Sequence, residues 1–403
     1  MANTFNTSKN APGIIAKAAA QTLKDNLVFG STIDKADASD FDGKNGYKAG
    51  DTIYTSKPAR YIPGDSFDIT SSIQDSVEEK APLSLDIQKT VGMEIDSMEF
   101  ATEVELKSVI SRFVMPAAES IAQAVEQEMI KRATLATYNS TGTAGSNSFG
   151  VSDVLAGRTK LNQNLCPRAD RSFLLNSASG ADAVAARSGL FQSAENIKEQ
   201  YLDGMVGRAD GFDWYENELI HVHTNGSDLT GLAINNVSGV SEGSDEITID
   251  GATSAPTVGS VFTIAGVNKV HPITKVDMGV PQQFTVTSAT TTTLGIAPAV
   301  YAGSGGLQNV TALPADNAAL TFVGAESSSL AQNLQYHKNA FKMVSVPLVM
   351  PTNAELAAQE TVDGITVSVI RDFDIEKRRM VTRLDFLGGL SPVRPEWSNR
   401  ITE

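Results

Sequence analysis

One long predicted helix, from Pro116 to Tyr138, most constrains what this chain can fold into. Proline opens a helix well because its missing N–H would be unpaired there and its φ is already helical. Ala117, Ile121 and Val125 recur at four-residue spacing and form one apolar stripe. The helix would span roughly 30–35 Å at 1.5 Å per residue. A rod of this length between strand-rich segments indicates an architectural element of an α+β fold and not an active site.

Composition and charge exclude several classes of protein. The chain has 403 residues, of which 41% are hydrophobic, enough for about two or three domains with real cores. No run approaches about 18 uninterrupted apolar residues, so no transmembrane helix is predicted. The net charge of −15 argues against a dedicated nucleic-acid surface, which needs a basic patch. The single cysteine, Cys166, excludes an internal disulfide and suits a reducing compartment.

The region before the helix predicts a terminal arm and a projecting hairpin. Residues 1–30 are locally basic and predict an extended or partly helical arm. Strand-like runs at Thr52–Thr55 and Leu83–Gln88 flank a segment dominated by turn residues. The middle of this segment, Arg60–Glu79, holds little that could form a core. A projecting hairpin of this kind needs something outside its own domain to pack on, which points to self-assembly; a floppy loop is the alternative.

Helices and strands alternate on either side of the long helix. Thr102–Glu105 fits a capping box that opens a short helix ending near Phe113. The remaining predictions here are a strand at Val91–Ile95, helices at about Ser152–Asn164 and Gly180–Arg187, and a buried strand at Ser172–Leu175.

A sharp change in composition marks an inserted domain. No arginine occurs between Arg208 and Arg371, and from Thr224 to about Ser329 the chain is rich in Thr, Ser, Gly and Val. Short strands punctuated by Gly and Pro are typical of a small β-barrel or sandwich. The predicted strands are Glu246–Ile249, Val261–Ile264, Phe284–Val286, Thr293–Ile296 and Leu320–Val323.

After the insertion the sequence pattern is again like that of the region before it. The segment Ala340–Val349 is apolar, and Thr361–Arg371 alternates as one predicted strand. A further strand is predicted at Met380–Leu387, and Gly388-Gly389 is predicted to be a turn.

Few residues are candidates for chemistry. His221 and His223 alternate on a predicted strand and could ligate a metal from one side, but no third ligand can be named, and ordinary strand residues are the favoured interpretation. His271 and His337 are isolated, which favours core or surface roles. Cys166 has no histidine nearby in sequence, so a buried thiol is expected.

Motifs for enzyme chemistry are missing from the sequence. No nucleophile elbow, P-loop or dinucleotide-binding glycine motif occurs. The stretch Arg371–Asp374 could hold a charge pair, and a structural ion pair is favoured over an acid/base dyad. We therefore predict no catalytic, cofactor-binding or metal-binding residues and no enzyme activity. A metal enzyme resting on His221 and His223 is the alternative.

Several stretches, taken in order, resemble one protein family. The chain resembles the major capsid proteins of tailed double-stranded DNA phages, with the HK97-like fold, and within them the coat proteins of short-tailed phages that carry an inserted domain. The stretches that carry the resemblance are Gly50–Ile53 through Pro58 to Leu83–Asp86, Pro116–Ala118, Gly211–Tyr215, Tyr336–Phe341, Arg371–Asp374, Arg383–Asp385 and Pro392–Glu396.

The resemblance implies a division of the chain into the parts of such a subunit. Expected are an N-terminal arm at 1–35, an extended loop at 36–90, a peripheral domain at 91–149 with the spine helix 116–138, an axial domain at 150–223 and 336–365, an inserted β-barrel at 224–335, and strands returning to the peripheral domain at 366–403.

The resemblance also implies a function and partners. Such proteins assemble as pentamers and hexamers, with scaffolding and portal proteins, into a procapsid in the bacterial host cytoplasm. The shell expands as it encloses double-stranded DNA, which it does not bind by sequence; no membrane is involved. Lys57 and Lys80 lie in the loop, but the type with an inserted domain is not expected to cross-link. The alternative is a glycan- or receptor-binding tail or decoration protein built on the Thr/Ser-rich domain.

Overall fold

The fold is described from a computed structural model of the chain. It describes residues 7–35, 50, 52–57, 61, 70, 73, 80–96, 113–146, 149–187, 207–235, 240–303, 306–351, 354, 356–376 and 379–403. The predicted short helix at Thr102–Phe113 lies outside these residues apart from Phe113, as does most of the predicted loop segment Arg60–Glu79.

Helices and strands are numbered in chain order. The helices are α1 (Thr7–Asn26), α2 (Val28–Thr32), α3 (Met115–Ala136), α4 (Val151–Gln163) and α5 (Ser177–Arg187). The strands are β1 (Asp34–Lys35), β2 (Thr52–Ser56), β3 (Lys80–Ser84), β4 (Ile87–Asp96), β5 (Ser140–Thr141), β6 (Arg171–Leu175), β7 (Arg208–Ala209), β8 (Phe212–Glu216), β9 (Val222–Thr224), β10 (Ala233–Ile234), β11 (Ser244–Asp250), β12 (Val261–Val270), β13 (Asp277–Ala289), β14 (Thr293–Val300), β15 (Leu320–Phe322), β16 (Ser329–His337), β17 (Phe341–Ser345), β18 (Leu356–Val362), β19 (Ile365–Asp374), β20 (Arg379–Pro392) and β21 (Ser398–Thr402).

The chain divides into two compact units. Unit 1 comprises residues 1–55, 81–130 and 341–391, and unit 2 comprises 56–80, 131–340 and 392–403. The predicted long helix is confirmed as α3, which buries Ala118, Ile121, Ala122, Val125 and Met129. In the described part of the chain, no helix is both long and apolar enough to cross a lipid bilayer.

Unit 1 is built on a six-stranded sheet in the order β1-β17-β20-β19-β18, with β4 also paired to β20. The pairs β18–β19, β19–β20 and β20–β4 are antiparallel, whereas β1 runs parallel to β17. Helix α1 contacts β18 and β19. Its Ala16, Ala19, Ala20 and Leu23 are fully buried at helical spacing, so the terminal arm is helical and packs within unit 1.

Two local predictions in this sheet are wrong. The single strand predicted at Thr361–Arg371 is a hairpin, because Asp363 and Gly364 adopt φ of 52° and 75° and form the two-residue turn that Asp-Gly favours. Gly388 and Gly389 do not form a turn; they lie within β20. A Cβ on Gly389 would stand 2.3 Å from the Ser84 carbonyl oxygen, so the glycine permits close backbone approach.

Unit 2 contains an α/β sheet and the inserted domain. The seven-stranded sheet has the order β5-β21-β16-β6-β8-β7, with β9 also paired to β16. Helices α4 and α5 match the predicted positions. The aromatic core of this sheet includes Phe149, Phe173, Phe212 and Trp214, with the Phe173 and Trp214 ring centroids 4.6 Å apart.

The inserted domain is a six-stranded antiparallel barrel. Its strand order is β10-β11-β14-β13-β12-β15, and a bridge between Ala233 and Ala319 closes it. All five strands predicted in this region are present. The barrel interior is apolar and includes Phe262, Phe284 and Val310. A closed barrel leaves no exposed sheet edge.

The two compact units divide the last third of the chain at residues 340/341 and 391/392. The predicted boundary between 336–365 and 366–403 falls one residue into β19, within the hairpin β18–β19. Residues 392–403 join unit 2 because β21 pairs with β16 from Gln332↔Thr402 to Tyr336↔Ser398.

Candidate functional site

The chain enters and leaves the inserted barrel at one place. The entering strand β9 pairs with the start of β16, in the register Thr224↔Ser329, and the two side-chain hydroxyl oxygens lie 3.0 Å apart. Asn225 then donates hydrogen bonds to the Val323 and Ala325 carbonyl oxygens, each at 3.0 Å. The two connections are therefore joined to each other at the base of the barrel.

Strand β13 fixes the barrel to the end of the long helix and to β5. The Gln283 side chain accepts a hydrogen bond from the Ser140 N–H at 3.0 Å and donates one to the Ser140 carbonyl at 2.9 Å. Thr285 Oγ1 donates to the Leu135 carbonyl oxygen at 3.1 Å. The base of the barrel is thus held by hydrogen bonds, which are directional and set its orientation.

Arg400, on β21, lies at this base and is fully buried. Its Nη2 donates to Thr285 Oγ1 at 3.1 Å, while its Nε finds no acceptor within the described part of the chain. Burial lowers the pKa of the guanidinium to about 9, because the charged form loses its hydration.

A second buried cation comes from the barrel itself. Lys269 Nζ donates to Asn164 Oδ1 at 2.5 Å, just beyond the end of α4. Asn164 also donates to the Glu396 carbonyl at 2.8 Å and accepts a hydrogen bond from Trp397 Nε1 at 3.2 Å. Burial lowers the pKa of Lys269 to about 8, the charge of Lys160 acts in the same direction, and Glu396 opposes it.

The predicted histidine pair contributes one buried ring to the same base. His223 Nε2 lies 3.1 Å from Ser260 Oγ. Burial lowers its pKa to about 4, with smaller contributions from the charges of Arg400 and His221. The rings of His221 and His223 are 6.2 Å apart. Across the described residues, no group of three or more His, Cys, Asp or Glu side chains is placed to hold a metal ion.

The other candidate residues have structural environments. His271 Nδ1 accepts hydrogen bonds from the Ile273 and Thr274 N–H groups of a turn. His337 is buried with its ring centroid 5.2 Å from that of Trp397. The Cys166 thiol is buried, and burial raises its pKa to about 11, which keeps it protonated and unreactive.

The charge pair predicted within Arg371–Asp374 involves the next strand. Asp374 Oδ2 lies 3.4 Å from Arg379 Nε, and Arg379 also binds Glu94. These residues join three neighbouring strands at the exposed end of the unit 1 sheet. Exposed ion pairs of this kind contribute little to stability.

The comparison that decides the family covers nearly the whole chain. The family model described as "P22 coat protein - gene protein 5" matches residues 1–399. The chain belongs to the P22 coat protein family. It is a major capsid protein with an HK97-like α+β fold and an inserted barrel, it forms the icosahedral phage shell, and it is part of the virion capsid. As a coat protein it is structural and not an enzyme, and the alternative of a tail or decoration protein is wrong.

Several solved structures also resemble the chain. "Capsid of Ralstonia phage GP4" matches with 7% identity and a TM-score of 0.46, over 92% of this chain and 86% of that one. "Mycobacterium phage Che8" matches with 10% identity and a TM-score of 0.44, over 93% and 90%. "CUS-3 coat protein I-domain" matches with 30% identity and a TM-score of 0.17, over 25% of this chain and 93% of that one. No curated protein matches the chain by sequence.

The residues that fix the barrel of this coat protein were missed from sequence. Arg400 and Gln283 lie in strands whose sequences carry no motif. Lys269 could have been singled out as unusual, because Lys269 and Lys275 are the only Lys or Arg residues between positions 224 and 335. Both are used internally: Lys275 Nζ donates to the Gly306 and Gln308 carbonyl oxygens, each at 2.9 Å.

Proposed function

We propose that this coat subunit assembles with a scaffolding protein, around a portal, into a procapsid that later expands around double-stranded DNA. The observation that carries the assembly step is the exposure of large apolar side chains on residues 52–80. Tyr54, Tyr61 and Ile73 are 65%, 58% and 75% exposed. Apolar side chains of this size that are exposed within one stretch of the sequence indicate a surface that another chain covers.

We assign this segment the role of the extended loop that lies over a neighbouring subunit. Strands β2 and β3 pair with each other in a separate two-stranded sheet and form the base of that loop. In a closed shell, one contact between two unlike surfaces is repeated by symmetry, and each loop covers one neighbouring subunit. The stabilisation from each contact is modest, but it is repeated in every copy.

We assign the remaining parts by the same proposal. Residues 1–35 are the N-terminal arm, the sheet of unit 1 with the first part of α3 is the peripheral domain, and the α/β sheet of unit 2 is the axial domain that meets its copies around five- and six-fold axes. Residues 224–335 are the inserted barrel. The net charge of −15 supports a shell that encloses DNA without binding it tightly, because an acidic protein repels the phosphate backbone.

We infer that none of the candidate residues of this chain acts in catalysis or metal binding. Two environments support this. His223 is buried beside a hydroxyl and next to a cationic guanidinium, which disfavours a bound metal ion. Cys166 is held as a neutral thiol by burial.

The extended-loop assignment is tested by placing charge on its exposed apolar residues. The double variant Tyr54→Asp with Ile73→Asp, co-expressed with the neighbouring phage genes, should give few closed shells in sedimentation and negative-stain electron microscopy. Its far-ultraviolet circular dichroism as a soluble subunit should match the native protein. The matched control is Val276→Asp, which adds a charge at a 63% exposed apolar site of the barrel and should leave shells intact. Normal shells from the double variant would remove the assignment.

A further inference from the structure

The guanidinium of Arg400 has no acidic partner in the described part of the chain. The residue is 1% exposed, and the hydrogen bond of its side chain to the described residues is the one from Nη2 to Thr285 Oγ1. Burial is the sole influence on its pKa, with no carboxylate acting against it. Buried arginines ordinarily pair with a carboxylate or a phosphate, because an unpaired buried charge is strongly unfavourable.

The groups around Arg400 do not supply the missing negative charge. Thr285 Oγ1 accepts from Arg400 and donates its own proton to the Leu135 carbonyl oxygen, so it remains a neutral hydroxyl. His223 and Ser260, at the same base, are hydrogen-bonded to each other, and a protonated imidazole there would add positive charge. The Arg400 Nε–H has no acceptor among the residues that the structure describes.

We propose that Arg400 binds a small inorganic anion of the halide class at the base of the inserted barrel, with Nε–H as a donor to it. The site has to be filled by a small ion, because a residue that is 1% exposed cannot be reached by a carboxylate of another chain. The anion supplies the countercharge that the protein does not, and it enters as the barrel packs against β21.

The bound anion stabilises the contact between the barrel and the α/β sheet. Arg400 belongs to β21, whereas Thr285 belongs to β13 of the barrel, so neutralising the guanidinium favours the packed arrangement of the two. A ligand that binds only the folded state stabilises it in proportion to the logarithm of one plus its concentration over its Kd. The melting temperature should therefore rise with halide concentration.

The first experiment exchanges chloride for gluconate at constant ionic strength in the full-length coat protein. The melting temperature should rise with the chloride fraction, and bromide should act in the same way. Arg400→Met should abolish this dependence. The matched control Arg208→Met removes an exposed arginine and should retain it. Equal melting temperatures in chloride and gluconate would overturn the proposal.

A second experiment does not depend on whether Arg400→Met folds. Crystals of the native coat protein grown in bromide should show an anomalous scattering peak within hydrogen-bond distance of Arg400 Nε. A site that shows no bromide peak, or density that fits water alone, contradicts the proposal. Because both readouts are independent of shell formation, they are separate from the test of the extended loop.

Discussion

The carboxylate of Glu126, on α3, caps the short helix α2 by accepting hydrogen bonds from the backbone N–H groups of Phe29 and Gly30, the latter at 3.3 Å. Glu126 is buried at 1% exposure, and Leu27, the residue before α2, offers no side-chain cap. This carboxylate therefore joins the N-terminal arm to the long helix. The first N–H groups of any helix need such acceptors.

Glu126→Leu should loosen the N-terminal arm. Two buried N–H groups would lose their acceptor, which costs about 1–3 kcal/mol for each unsatisfied group. Urea unfolding should show the loss, and limited proteolysis should cut within residues 1–35 sooner than in the native protein. Glu126→Gln keeps an acceptor oxygen and should lose less. Glu119→Leu, on the exposed face of the same helix, is the control and should leave both measurements unchanged.

Gly389→Ala should destabilise the sheet of unit 1 severely. The new Cβ would meet the Ser84 carbonyl oxygen at 2.3 Å, and a backbone atom cannot turn aside as a side chain can. Overpacking of this kind costs about 1–3 kcal/mol or more. Gly92→Ala on the neighbouring strand β4 meets nothing within 4 Å and serves as the control. Equal urea midpoints for the two variants would contradict the close approach of β20 to Ser84.

His223 should make stability fall in mild acid. Its pKa is about 4 in the folded protein against an ordinary value of 6.5, so the unfolded chain binds the proton more tightly. The stability is complete above pH 6.5 and is lost as pH falls toward 4, by roughly 2–3 kcal/mol in all. Urea unfolding of native protein and His223→Gln across this range should show a shallower slope for the variant. His271→Asn, at a turn of the barrel, should keep the native slope.

Lys269 should make the stability of the protein depend on pH in the alkaline range. Its folded pKa of about 8 lies below the ordinary value of 10.5, so the unfolded chain holds the proton longer and stability rises between these two values. Lys269→Met should remove this rise, measured by urea unfolding at pH 8 and pH 10 in parallel. Lys131→Met, at an exposed position of α3, should retain it. If the stability of the native protein and of both variants depended on pH in the same way, the Lys269 amine would have to be in solvent and the prediction would be wrong.

Regular periodicity made much of the fold predictable. The long helix and the five strands of the barrel follow from apolar spacing and turn residues, which act locally. The dipeptide Asp363-Gly364 is itself a turn signal. The single predicted strand continues the alternation of Ile365, Val367 and Val369 through this turn and is wrong for that reason. The turn predicted at Gly388-Gly389 is wrong for a different reason. A glycine pair occurs both in turns and where two backbones approach closely, and the sequence does not distinguish the two.

The site at the base of the barrel could not be predicted from sequence. Arg400 and Thr285 are 115 residues apart in the chain, and each looks like an ordinary strand residue until the two strands are packed together. The same holds for Lys269 and Asn164, whose contact joins positions 105 residues apart. Local patterns carry no information on such pairs, because the contact exists only in the tertiary structure.

The pairing of β9 with β16 has an evolutionary consequence. Thr224 and Ser329 stand side by side, so the barrel leaves and rejoins its host through two adjacent ends. A module attached in this way can be gained, lost or exchanged by recombination without threading a new connection through the sheet. The same geometry suits replacement of the barrel by a foreign domain whose own termini lie close together, carried once on every copy of the coat.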